Sequence, residues 1–143
     1  MNHSDRYTRW LVPLGRVLFA LVFLKSAPGH FTPELVAVAE GQGVPLAHLA
    51  VPLSGVMAGL GGLSVALGLW TRIGAWLLIL FLIPVTVMMH GFWGIDDPAA
   101  ARTQEIMFMK NLAILGGALL LAHFGGGPFS VDQRAQPGRT PPL

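Results

Sequence analysis

Four apolar stretches, each about long enough to cross a lipid bilayer, set the terms on which this chain can fold. They run from about Trp10 to Ala27, Leu46 to Trp70, Ile73 to Trp93 and Glu105 to Phe124. A hydrocarbon core about 30 Å thick is crossed by roughly 20 helical residues. Within it, every backbone amide and carbonyl must find a partner in the chain itself, and a helix meets that demand segment by segment. The expected fold class is therefore all-α, an integral membrane four-helix bundle. Composition agrees, because only 11% of the residues are charged and 53% are hydrophobic, against roughly 25% charged in soluble domains. At 143 residues the four spans leave no room for a separate soluble domain.

Charge and cysteine content exclude several classes of function. The formal charge is only +2, with basic residues dispersed along the chain, so nucleic acid is not an expected partner. Cysteine is absent, which removes disulfide exchange, thiolate metal sites and thioether-linked haem. Arg6 and Arg9 precede the first run as they would in a signal peptide. The following SAPGHF continues into another helical pattern instead of a cleavage site, so the first span is read as uncleaved.

Between spans one and two, Pro33 to Glu40 predicts a short interfacial helix. Span two is rich in small residues, and Gly55 with Gly59 forms a GxxxG pair that admits a closely packed helix. That helix is expected from the same chain, and secondarily from a homo-oligomer through the same small-residue face. Pro84 is expected to kink span three. From Gly125 onward Gly and Pro dominate, which predicts one membrane domain over residues 1–132 and a disordered cytoplasmic tail over 133–143. With a cytoplasmic N-terminus the inner side holds Arg6, Arg9, Arg72, Arg134 and Arg139, and the outer side only Arg102. Both termini are therefore assigned to the cytoplasm.

That orientation sets the depth of the polar residues. Lys25 and His30 lie at the outer end of span one, and His90 and Trp93 at the outer end of span three. Lys110 and Asn111 lie roughly 8 Å inside the outer end of span four, at 1.5 Å per residue. Polar groups that converge in an apolar wall are the usual form of a small-molecule site. Each residue also has a plainer reading. Lys25 can snorkel to headgroups, His90 can cap a helix, Trp93 can belong to an aromatic belt, and Asn111 can join helices. Lys110 is deepest and resists such a reading best. No metal site is expected, because no His-x-x-Glu or paired-carboxylate spacing occurs and His123 falls at the opposite end. Arg16, one to two turns inside span one, is expected to form a structural ion pair with Asp132 as the chain folds back.

Taken in order, GRVLFALVFLKSAPGHF, GVP, GLGGLSVALGLWTR, MMHGFW, MFMKNLAILGGALLL and FSVD resemble the DoxX family of small four-span bacterial membrane proteins. The likeness runs from Gly15 to Asp132 and carries Arg16, His90, Trp93, Lys110, Asn111 and Asp132. It departs at Gly59, where many relatives have an acidic residue, and at His30, where many have lysine. The resemblance implies a bacterial inner-membrane protein and an accessory or quinone-interacting subunit of a membrane oxidoreductase, its partners the bilayer and a redox enzyme. In that reading His90, Lys110 and Asn111 hydrogen-bond a quinone head and Trp93 stacks on it. No other cofactor is implied, and catalysis rests on the resemblance alone. Two alternatives stand beside it: a small-solute or anion transporter using Lys25, Arg16 and Lys110, and a structural membrane partner without a ligand.

Overall fold

The computed structural model describes residues 8–135, and among them every regular element is helical. Helix α1 (Leu11–Ser26) continues through a 3-10 turn (Ala27–Phe31). After it come α2 (Pro33–Gly41), α3 (Ala47–Leu67), α4 (Thr71–Met89), α5 (Pro98–Phe124) and the short α6 (Val131–Arg134). Four spans, Leu11–Phe31, Ala47–Leu67, Thr71–Met89 and Pro98–Phe124, are long and apolar enough to cross a membrane. The protein is an all-α multi-pass membrane bundle, as its apolar runs predict.

Span four begins earlier than hydropathy places it. Asp97 is its N-cap, accepting from the Ala100 amide at 2.9 Å, and Pro98 occupies the first turn. That cap starts the helix seven residues before Glu105 and adds two polar turns ahead of the apolar run. At the other terminus, Gln133 and Arg134 belong to α6 and not to a structureless tail. Arg6, Arg139 and residues 136–143 lie outside the described residues.

Short connections make successive spans antiparallel. Helix α3 packs between α1 and α4, and α4 in turn carries α5. Glycine makes the central position possible. A Cβ on Gly61 would stand 2.8 Å from the Leu78 side chain and 2.9 Å from the Gly74 carbonyl. On the face towards the 27–31 turn, a Cβ on Gly55 would meet the His30 Cβ at 2.5 Å. A Cβ on Gly59 would lie 3.6 Å from the Ala27 Cβ, so both glycines of the GxxxG pair face this chain's own helix end, Gly55 the more tightly. The main core joins Ala20, Phe23, Ala58, Val65, Leu78 and Leu82, with the Phe23 and Phe81 rings edge-on at 6.0 Å. A second cluster seats α2 on the start of α3 through Val36, Ala39, Ala47 and Val51. Helix α5 is peripheral, and Ala118 is its one fully buried residue.

Candidate functional site

The two ends of the bundle are built differently. At the end where α3 passes into α4, the turn is closed by the chain's own later residues. Gly68 takes a left-handed conformation (φ +68°), and its amide and that of Leu69 bond the carbonyls of Val65 and Ser64 at 3.2 and 3.0 Å. This is a Schellman cap, which needs φ > 0 at that residue. Trp70 and Thr71 then open α4, and their amides donate to the Asp132 carboxylate at 2.7 and 2.9 Å. The Thr71 hydroxyl adds a third bond at 2.8 Å, and the Asp132 amide returns one to the Gly68 carbonyl at 2.9 Å. A carboxylate on free amides at a helix N-terminus is favoured by hydrogen bonding and by the helix dipole.

The segment bearing Asp132 is itself held. Ser130 caps α6 by accepting from the Gln133 amide at 3.1 Å, while Gln133 Oε1 accepts from the Phe129 amide at 3.1 Å. Arg16 is buried beneath it and donates to the carbonyls of Gly126 and Phe129. Phe129 stacks on Trp10 with centroids 4.3 Å apart. Arg16 and Asp132 therefore serve one loop. The direct ion pair among the described residues is Arg102–Glu105, and His48 Nε2 lies 2.9 Å from Glu40 Oε1. Asp132 is met mainly by backbone amides, while Arg16 gives two bonds to backbone carbonyls and keeps a buried Nε without a partner among the described residues.

The opposite end holds a cavity of about 500 Å³. Its walls come from the last turns of α1, the 3-10 turn, α2, the first half of α3, the last half of α4 and one turn of α5. Most of the lining is apolar, with Phe23, Met57, Phe81, Val85 and Met88 among it. Five polar side chains interrupt that lining: Ser26, His30, Ser54, His90 and Asn111. Pro84, also on the wall, cannot donate to the Leu80 carbonyl one turn back. A second hollow, lined by Gln42, Gly91, Trp93, Gly94 and Gln104, meets the first at Met88 and Met89.

Of the predicted outer cluster, the cavity gathers His30, His90 and Asn111, delivered by three different elements. His90 Nδ1 is 3.0 Å from Gln104 Oε1, which ties α4 to α5, and His30 Nδ1 is 3.0 Å from the Ser26 carbonyl. Trp93 lies in the second hollow, 59% exposed, with its ring 5.9 Å from that of Phe108. Lys25 and Lys110 are exposed and outside both hollows. Lys110 and Asn111 are adjacent in sequence but about 100° apart around the helix, so only Asn111 turns to the cavity. Sequence reasoning missed Ser26 and Ser54, whose only signal was a hydroxyl one turn from His30 and beside Gly55. Among the described residues no group of His, Asp or Glu is placed to hold a metal ion.

Comparison with known proteins decides the family. The model of the SURF4 family matches residues 46–136, well over half of the chain. The chain belongs to the SURF4 family. It is 32% identical over 124 residues to the inner membrane protein YqjF of Escherichia coli, covering 85% of this chain and 89% of that protein. The inner membrane protein YphA of the same organism is 35% identical over 92 residues, 64% of this chain and 65% of that one. A Surfeit locus protein 4 homolog of Schizosaccharomyces pombe is 28% identical over 121 residues, 84% of this chain but only 36% of that longer protein. No solved structure matches.

SURF4 membership corrects the DoxX resemblance. The shared spans, glycines and polar residues are features that four-span bundles can have in common, and the matching family model is a different one. The oxidoreductase and quinone expectations were implied by DoxX, and the SURF4 match gives them no support. In this SURF4 chain the matched region takes in α3, α4, α5 and the capping segment up to Asp132.

Proposed function

We propose that this SURF4-family protein holds a small lipid-soluble amphiphile in the cavity formed by α1, the 3-10 turn, α2, α3, α4 and one turn of α5. One observation carries the reading: a hollow of about 500 Å³ is apolar over most of its wall, yet receives His30, His90 and Asn111 from three separate elements. That size and balance suit a ligand with an apolar body and one polar group. The closed far end favours holding over conduction, because Arg16, Thr71 and Ser130 are buried beneath the capping segment. Its membrane is taken to be a bacterial inner membrane, as the names of the inner membrane proteins YqjF and YphA state for those two relatives. Arg9, Arg72 and Arg134 at the capped end support a cytoplasmic side there. Under that orientation a cysteine introduced at Gly94 is labelled from outside the cell and one at Ala135 is not. The reverse pattern would invert it.

The test of the cavity is native mass spectrometry of protein extracted gently from its membrane. Wild type and Lys110→Met, which lies outside the cavity, should both carry a bound amphiphile. Asn111→Leu and His90→Leu should carry at least about tenfold less while remaining folded. Equal occupancy in all four proteins would end the proposal.

A further inference from the structure

Four of the five polar groups in the cavity wall have already committed a proton to the chain itself. The Ser26 hydroxyl donates to the Phe23 carbonyl at 3.0 Å, and the Ser54 hydroxyl donates to the Val51 carbonyl at 2.7 Å. The Ser26 carbonyl that faces His30 Nδ1 has no proton to give, so Nδ1 is the donor. With Gln104 Oε1 as acceptor, His90 Nδ1 donates likewise. In a neutral imidazole with Nδ1 protonated, Nε2 offers only a lone pair. In the Nδ1–H tautomer that these two bonds assign, His30 and His90 join Ser26 and Ser54 in presenting acceptors, and the Asn111 amide is the remaining side-chain donor. No Asp, Glu, Lys or Arg lines this cavity or the hollow beside it.

Resting on the cavity reading above, we infer that the occupant is an uncharged amphiphile whose polar group is a hydroxyl donor: an alcohol, an acylglycerol or a phenol. Two physical facts select it. A ligand hydroxyl supplies the proton that the acceptor-rich wall lacks, and its own oxygen can accept from Asn111. A carboxylate or phosphate brings a charge into an apolar wall without a cation to meet it, which costs far more than a neutral head. A quinone carries carbonyl acceptors alone, and the two N–H donors of Asn111 share one nitrogen, so the oxygen on the far side of the ring is left facing acceptors.

The discriminating experiment uses three probes with the same chain: hexadecan-1-ol, hexadecyl methyl ether and hexadecanoic acid. Each is added in trace to full-length protein in phosphatidylcholine nanodiscs, and the bound fraction is read by native mass spectrometry. The alcohol should be retained at least about tenfold over the ether, and the acid least. Ser54→Ala removes an acceptor with almost no change in volume, and should lower alcohol retention while leaving the ether unchanged. Equal retention of alcohol and ether overturns the hydroxyl inference and leaves the cavity reading standing. A preference for the ether or the acid overturns it as well. If no probe is retained, both readings fall.

Discussion

The capped end and the cavity end of this bundle use polar residues in opposite ways. At the capped end, Arg16 and Asp132 find most of their partners in backbone atoms of the same chain, and the Thr71 hydroxyl donates to Asp132. At the cavity end, His30, His90 and Asn111 surround open volume. Both ends hold hydrogen-bonding groups away from bulk water, Arg16, Thr71 and Ser130 buried under the cap and the others on an apolar hollow, where an unpartnered one costs about 1–3 kcal/mol. The difference teaches how to tell architecture from a site in a small membrane protein. Groups whose bonds all close within the chain hold the fold, whereas at the hollow His30 and His90 each keep a second ring nitrogen, and Asn111 its amide, for something else.

The contrast predicts unequal responses to mutation. Asp132→Ala should have the largest effect, because it removes three bonds to the start of α4 and leaves Arg16 without a nearby counter-charge. A loss of about 2–3 kcal/mol is expected, above an ordinary N-cap, measured by thermal or denaturant unfolding in detergent. Arg16→Met should also destabilise. The double variant should lose less than the two single losses added together, by about 0.5 kcal/mol or more, since both residues hold the 125–135 segment. Strict additivity would mean that the two charges act independently.

Gly55→Ala should come next. Its new Cβ would meet the His30 Cβ at 2.5 Å, and overpacking of this kind costs about 1–3 kcal/mol. The 27–31 turn must shift to relieve it, so occupancy of the cavity should fall along with stability. Unchanged occupancy would show that the position of His30 does not shape the binding volume. The smallest effect on stability belongs to Asn111→Leu, within about 0.5 kcal/mol, because no bond to the fold is lost. A large destabilisation there would erase the distinction between the two ends and make Asn111 a packing residue.

How much of this was legible in the sequence differs by level. The four spans were, because a bilayer imposes a length and an apolarity that hydropathy reads directly. The start of α5 was not, although Asp97-Pro98 is a helix-start signal, because the residues after it are polar and the apolar run begins later. Arg16 was recognisable as a buried charge that needed partners, and the FSVD segment as the place to find them. Their chemistry was not legible, since carbonyls leave no mark in a sequence. The level of the cavity was legible from His30, His90 and Asn111. Its lining was not, because the face of α5 that points inward depends on packing, and one residue of rotation separates Asn111 from Lys110. The family was misjudged because the resemblance rested on short motifs around Arg16, His90, Trp93, Lys110, Asn111 and Asp132, and the family model that matches residues 46–136 is that of SURF4.

The Asp132 cap has a consequence for the making of the protein. Its carboxylate binds an amide 62 residues earlier in the chain, and a ribosome adding roughly 5–20 residues per second covers that distance in several seconds. For that interval the start of α4 has emerged and its terminal amides lack their final partner. Water or lipid headgroups at the membrane surface must serve in the meantime. All four spans are synthesised before the residue that locks the second pair's turn exists. Biogenesis of this bundle therefore ends with a closing step at its own surface, after the last span has left the ribosome.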